Sequence, residues 1–498
     1  MTKFPLKKLL IANRGEVACR ILQSCRELGI RTVAVYAQPD ADALFVREAD
    51  EAVALEGSSA TDTYLNAEKI LEAAARSGAQ ALHPGYGFLS ENAEFAKAVQ
   101  AAGLVWIGPS PESIAAMGSK ARARAIAQEA GVPVVPGLSE DGHSEMALLE
   151  AAKEVGLPVL LKASAGGGGK GMRVVEDEAE FTEALQATRR EARSAFGDDH
   201  LILEKYIANP RHIEVQVLAD HHGNAVHLFE RECSIQRRHQ KVLEESPSPA
   251  LDARTRGAIT QAAVTLARAV NYSNAGTVEF LWDESGHFYF LEMNTRLQVE
   301  HPVSEWVTGQ DLVALQLQVA AGEPLPFVQD DLSQRGHAIE VRVYAEDPAL
   351  QFAPQTGTLQ VLKLAQGPGV RWDSGVERGS AITPHYDPLL AKLIVYGADR
   401  PAALRRLQQA LRATVILGIN TNLDFLQDVV GHPAFLQGKT TTGFIDEHFA
   451  DWKPASPEAL EWAALAAFEI WGKRQPASVG ASARDVDPWD LGSGWRNL

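Results

Sequence analysis

Short apolar runs and amphipathic stretches alternate through the first hundred residues. Lys8 to Ala12 is an apolar run, and Ala18, Ile21, Leu22, Cys25 and Leu28 then share one helical face. Gly29 ends that helix, and Thr32-Val-Ala-Val-Tyr36 is a β-branched run that predicts a strand. The alternation continues through Ala52 to Leu55, a helix near Asn66 to Ala75, Ala81 to His83, and Val105 to Ile107. Repeated βα units predict a parallel sheet covered on both faces. The G-x-G-x-x-G fingerprint is absent from the first turn, so NAD binding is not supported there.

A second unit runs from about Pro133 to Tyr206. Its strand-like runs, Pro158 to Lys162 and Arg173 to Val175, flank a glycine loop. The third, from about Ile207 to Phe444, is richer in strands and holds most of the ionic residues. Beyond Ala450 the pattern changes: Glu458 to Trp471 predicts an alanine-rich helix, and Pro476 to Ala483 is small and flexible in composition.

The most informative stretch is Glu292 to Glu300. Glu292, Asn294, Arg296, Gln298 and Glu300 occupy every second position, with Met293, Thr295, Leu297 and Val299 between them. In an extended chain a period of two puts all five polar groups on one face. Burying that face costs several kcal/mol for each unpaired ion unless a ligand or metal offsets it. Phe288 to Leu291 leads straight into the run and His301-Pro302 closes it, so a buried site is favoured over a solvated edge strand.

The chain has 498 residues, 46% apolar and 22% charged, as in a soluble protein of about three domains. Its formal charge of -17 argues against a general nucleic-acid binder. Cys19, Cys25 and Cys233 are too few for a disulfide framework or a zinc site, which points to a reducing cytosol. The start is too short in apolar residues for a signal peptide, and no apolar stretch is long enough to span a bilayer.

Several constellations carry candidate chemistry. The loop Gly166 to Gly169, followed by Lys170, can close over phosphates with its backbone N–H groups, with Lys162 adding charge. It lacks the Gly-Lys-Ser/Thr ending of a Walker loop, which speaks against a P-loop kinase. Leu201 to Ile207 is an apolar strand ending in Glu204 and Lys205, suited to an adenosine. Glu230 to Lys241 mixes Gln236, His239 and cations in a pattern that fits anion handling better than a solvated helix face. Glu279 is a lone acid in an apolar strand. With Glu292 and Asn294 it supplies oxygen ligands of the kind magnesium prefers; a structural ion pair would instead need two buried cations there.

Six stretches, in this order, resemble the biotin carboxylases of the ATP-grasp family. They are Ile11-Ala-Asn-Arg-Gly-Glu-Val-Ala18, His83-Pro-Gly-Tyr-Gly-Phe-Leu-Ser-Glu-Asn92, Met117-Gly-Ser-Lys120, Lys162 to Met172, Gln236-Arg-Arg-His-Gln-Lys241 and Glu292 to Pro302. The likeness runs from near residue 5 to near residue 446. It implies an α/β and α+β protein with a Rossmann-like N-terminal domain (1–117) and an ATP-grasp lid carrying the glycine loop (118–206). The ATP-grasp core and biotin carboxylase C-terminal domain would follow (207–446), then a helix and tail (447–498) that is a candidate for partner docking. Departures are small: Ala165 stands where many relatives begin a longer glycine run, and His385 where they often have tyrosine.

The resemblance also implies roles. Lys120, Lys162 and the loop of Gly167, Gly168 and Gly169 would contact ATP phosphates. Glu204, Lys205, Ile207, His212, Gln236, His239 and Leu281 would hold the adenosine, and Glu279, Glu292 and Asn294 would bind magnesium or manganese. Bicarbonate would lie among Lys241, Arg296, Gln298, the Val299 amide and Glu300, with Glu300 as general base. Arg342 and, more weakly, Tyr86 would face biotin. The implied activity is ATP- and bicarbonate-dependent carboxylation of biotin N1′, the first half-reaction of an acetyl-, propionyl- or methylcrotonyl-CoA type carboxylase.

None of the five methionines lies in an Ala-Met-Lys-Met site, so the biotin is expected on a separate chain or domain. The expected partners are therefore a biotin carboxyl carrier protein or domain and a carboxyltransferase subunit. The chain itself is expected to be a cytoplasmic homodimer with no nucleic-acid or membrane partner. A different ATP-grasp ligase that also makes an acyl phosphate is the second reading; a non-catalytic assembly subunit is the third.

Overall fold

Leu9 and Ile11 pack into one apolar cluster while Leu10, between them, packs into another. That split is the signature of a strand buried on both faces. In the computed structural model, which describes residues 5–139, 144–164, 171–283 and 285–455, this strand is the middle of a five-stranded parallel sheet. Its strands are β1 (Lys8–Ile11), β2 (Arg31–Ala37), β3 (Glu51–Leu55), β4 (Ala81–His83) and β5 (Val105–Trp106), in the order β3-β2-β1-β4-β5. The helix Gly15–Leu28 follows β1 and ends at Gly29, which adopts the left-handed conformation (φ 70°). The expected N-terminal units all form, with boundaries within two residues.

A small antiparallel sheet follows, built from β6 (Gly137–Ser139), β7 (Val159–Ala163), β8 (Met172–Val175) and β9 (Leu201–Lys205), ordered β6-β9-β7-β8. Helices Glu145–Val155 and Phe181–Phe196 contact it. The glycine loop between β7 and β8, with Gly167, Gly168 and Gly169, lies outside the described residues, as does the tail from residue 456.

The largest element is an eight-stranded antiparallel sheet. It contains β10 (Arg211–Ala219), β11 (Ala225–Arg237), β12 (Gln240–Ser246), β13 (Asn274–Trp282), β14 (Phe288–Asn294) and β15 (His337–Tyr344). The order is β14-β13-β10-β11-β12-β15, then Leu389–Gly397, then Val370–Ser374. Alternation separates its two faces. Ile213, Val215, Val217, Val278 and Phe280 pack in one apolar cluster; Ile339, Val341, Val343, Leu393 and Val395 pack in another. The intervening positions carry charged and polar groups. The described residues up to Trp452 form one compact unit, and among them no helix is long and apolar enough to cross a membrane.

The run Glu292 to Glu300 does not stay extended. Strand β14 ends at Asn294, the chain turns, and Glu300 precedes the helix His301–Thr308, which has Pro302 in its first turn. Sequence alternation therefore does not explain how its polar groups meet. A turn brings them together instead.

Candidate active site

The polar face of the large sheet forms a wall of acids. Glu214 on β10 is the register partner of Glu279 on β13, and Glu279 is the partner of Glu292 on β14. Three carboxylates thus stand in one row across three strands. Glu279 accepts from Lys241 Nζ at 2.8 Å, Asn294 Nδ2 at 2.8 Å and Gln298 Nε2 at 2.9 Å, and His212 Nε2 lies 3.0 Å from its other oxygen. Burial pushes the pKa of Glu279 up, but Lys241 and His212 outweigh it and hold this carboxyl well below the usual range.

Glu292 makes no hydrogen bond or ion pair among the described residues. Burial, and next the charge on Glu279, raise its pKa. Two facing carboxylates, one compensated and the other not, plus the Asn294 amide, suit a hard divalent cation. The fit is partial. Lys241 already occupies an oxygen of Glu279, and the Asn294 carbonyl accepts from Arg296 Nη2 at 2.8 Å.

Lys241 also reaches Glu214 and, at 2.6 Å, Glu300. The other oxygen of Glu300 lies 3.0 Å from Arg342 Nη2, and Arg342 Nε donates to Glu244 at 2.6 Å. Burial would raise the pKa of Glu300, but Lys241, Arg342 and Arg231 dominate and hold it ionised. Glu244 is pushed up to about 7, first by burial and, against the pull of Arg342, by the charge on Glu300. Arg296 donates from Nε to Glu91 at 2.9 Å. Val299 presents its carbonyl to Lys392 at 2.6 Å.

Tyr86 is placed by the first turn of the chain. Asn13 Nδ2 donates to the carbonyls of Pro84 and Tyr86, each at 2.7 Å. Gly85 sits at φ 63°, and a Cβ there would lie 2.7 Å from the Asn13 amide nitrogen. The Tyr86 hydroxyl donates to Glu16.

On the nucleotide side, Lys162 on β7 pairs with Glu204 on β9 at 2.6 Å, and Arg124 approaches the same carboxylate at 3.2 Å. Lys120 begins the helix Lys120–Glu129; burial lowers its pKa while Glu292 pulls it back up. Leu281 is the register partner of His212. Lys205 is exposed and Ile207 half-buried just beyond β9. Gln236 is buried near the end of β11 and donates to the Cys233 carbonyl at 2.8 Å. His239 is exposed at a two-residue hairpin turn in which it and Arg238 both have positive φ. The basic run is thus a strand pair and its tip.

Comparison with known proteins agrees with this architecture. Residues 5–114 match the family model for the biotin carboxylase N-terminal domain, 119–328 that for the carbamoyl-phosphate synthase L chain ATP-binding domain, and 340–447 that for the biotin carboxylase C-terminal domain. The biotin carboxylase of Halalkalibacterium halodurans is 52% identical over 442 residues, covering 89% of this chain and 98% of that protein. The chain belongs to the biotin carboxylase family.

The alpha subunit of mitochondrial methylcrotonoyl-CoA carboxylase from Rattus norvegicus is 49% identical over 90% of this chain, and the chain spans 63% of that subunit's length. Among solved structures, the biotin carboxylase domain dimer of Hydrogenobacter thermophilus 2-oxoglutarate carboxylase, in complex with MgADP, ADP and bicarbonate, is 46% identical. It superimposes with a TM-score of 0.86 and covers 91% of this chain and 99% of that one. Family and ATP-grasp architecture therefore stand as expected from the motifs.

Sequence reasoning left several buried charges of this site without a role. Glu214, Arg231, Glu244 and Lys392 are each 0% exposed. Arg231 alone donates to Glu214, Gln216, Ser304, Thr277 and Gln298 at 2.5 to 3.1 Å. The signal that singled out Glu279, one charge inside an apolar strand, is equally present in Ile213-Glu-Val-Gln-Val217 and Leu390-Ala-Lys-Leu-Ile394. The groups that meet Glu279, Lys241 and His212, are both distant from it in the chain.

Proposed function

We propose that this chain uses ATP and bicarbonate to carboxylate N1′ of a biotin borne on a carrier protein or domain, as the first half-reaction of an acyl-CoA carboxylase. The observation that carries the reading is Glu300, clamped between Lys241 and Arg342, with Lys241 also bonded to Glu279 of the Glu279–Glu292 pair.

In this reading the nucleotide lies between the small sheet and the wall. Lys120 and Lys162 meet its phosphates; Glu204, Lys205, Ile207, His212, Gln236, His239 and Leu281 surround the adenosine. Glu279, Glu292 and Asn294 would hold magnesium, whose contribution is neutralisation of phosphate charge. Bicarbonate binds against Arg296, Gln298, the Val299 amide and Lys241. Glu300 as found is a weak base, because two cations stabilise its charged form. An anion that draws Lys241 and Arg342 towards itself weakens those pairs and raises the proton affinity of Glu300. Glu300 then takes the bicarbonate proton as the oxygen attacks the γ-phosphate, giving carboxyphosphate and ADP. Carboxyphosphate decomposes to CO2 and phosphate beside biotin. The released phosphate takes the N1′ proton, Arg342 stabilises the ureido oxygen as it gains negative charge, and N1′ attacks CO2 to form carboxybiotin.

Supporting the partner assignment is the likeness to the alpha subunit of methylcrotonoyl-CoA carboxylase, and supporting a homodimer is the dimeric biotin carboxylase domain described above. The test is ADP release by the purified protein with Mg2+, bicarbonate and free biotin. Turnover that needs both bicarbonate and biotin is expected. ADP release that ignores biotin but responds to an amine or carboxylate acceptor would favour another ATP-grasp ligase.

A further inference from the structure

Lys392 is wholly buried, yet the proposed chemistry gives it nothing to do. It lies on the strand Leu389–Gly397, directly across from Arg342 on one side and Asp373 on the other. Its ammonium donates to the Val299 carbonyl at 2.6 Å and stands 3.5 Å from Glu16 and 3.6 Å from Asp373. The Val299 carbonyl belongs to the peptide that leads into Glu300, so its direction sets where the Glu300 side chain emerges. Glu16, through its other oxygen, accepts from the Tyr86 hydroxyl.

Glu340 lies on this face too, with both carboxyl oxygens buried and without hydrogen-bond partners among the described residues. Burial raises its pKa despite the attraction of Lys392. Glu340 makes no hydrogen bond to the ammonium, whose contacts are Glu16, Asp373 and the Val299 carbonyl. The one hydrogen bond of the buried amine, to the Val299 carbonyl, fixes its direction, while Glu16 and Asp373 hold it by charge at ion-pair distance.

We infer that Lys392 is a positioning residue that ties the bicarbonate loop to the biotin-facing Tyr86, holding Val299–Glu300 directly and Tyr86 through Glu16. The inference rests on the function proposed above. A purely structural role would lower stability and affect all ligands alike. A positioning role changes the two acceptor-side constants and spares the nucleotide.

The test compares wild type, Lys392→Met and Glu16→Gln by steady-state kinetics and by MgADP titration. Lys392→Met removes the charge at similar length. Its KM values for bicarbonate and free biotin are expected to rise about tenfold or more, with the MgADP Kd within about twofold of wild type. Glu16→Gln breaks only one arm and is expected to raise the biotin KM while leaving the bicarbonate KM within about twofold. Unchanged acceptor KM values in a folded Lys392→Met, or an equal loss of MgADP affinity, overturn the inference. If Lys392→Met does not fold, an unchanged biotin KM in Glu16→Gln overturns it. A wild-type protein without bicarbonate- and biotin-dependent ADP release instead overturns the function beneath it.

Discussion

Glu279 and Glu292 face each other as register partners on adjacent strands, and among the described residues Lys241 bonds Glu279 while Glu292 has no ion-pair or hydrogen-bond partner. Like charges directly opposite in a sheet destabilise it. The pair therefore stores an unmet demand for positive charge. Glu292→Gln should remove that demand, leaving the free protein as stable as wild type or up to about 1 kcal/mol more so. The Mg2+ dependence of ADP binding should fall at least about tenfold. Titration with ADP in Mg2+ and in EDTA checks this, and an unaltered Mg2+ dependence would remove Glu292 from the metal site.

Glu300→Gln keeps the shape of the side chain and removes its charge and its basicity. General-base catalysis contributes about a hundredfold to ten-thousandfold, so bicarbonate-dependent ATP cleavage should fall in that range. Because Glu300 lies on the acceptor side, the MgADP Kd should stay within about twofold. Single-turnover ADP formation separates the two effects. Near-wild-type cleavage would mean that another group takes the proton.

The N-terminal sheet was legible because each of its strands and helices carries a local signature: Leu9, Leu10 and Ile11 for a doubly buried strand, Gly29 for a helix end. The polar groups of the candidate site were visible in the sequence, but not how they come together. A period of two in Glu292 to Glu300 suggested one long strand, yet the chain leaves the sheet after Asn294, and Gln298 returns to Glu279 across a turn. Such a return depends on Pro302 and the packing of helix His301–Thr308, which are tertiary. Glu214, and the contacts of Lys241 with it and with Glu279, escaped for a related reason. Their meeting depends on the order β13-β10-β11-β12, and a sequence does not state which antiparallel strands become neighbours.

Arg231 shows what these hidden charges are worth. Its guanidinium is fully buried and held by Glu214 and four polar groups. Arg231→Met fills much of the volume but leaves Glu214 with one cation fewer in a dry site. Breaking a buried pair from one side costs about 3–5 kcal/mol. Urea denaturation should show that loss with little change in the slope. A loss under about 1 kcal/mol would mean that solvent or Lys241 compensates Glu214.

His83 provides a pH test that does not depend on the proposed activity. It is 0% exposed, its Nδ1 accepts from the Gly85 amide at 3.0 Å, and its Nε2 lies 3.3 Å from the Gln316 side-chain oxygen. Burial pushes its pKa down to about 3, with the charge of Arg20 adding to the effect and the Gln316 contact opposing it. An imidazole in the unfolded chain takes up a proton near pH 6.5. Between about pH 6.5 and 3 the unfolded state therefore binds a proton that the native state refuses. Stability must fall as pH falls through that window, by at most about 1.4 kcal/mol per pH unit from this group. His83→Asn keeps an acceptor for Gly85 and cannot titrate. The variant should start less stable at pH 7.5 and lose less on acidification, so the two urea midpoints converge towards pH 5. Parallel midpoints across that range would mean that His83 is protonated in the native fold.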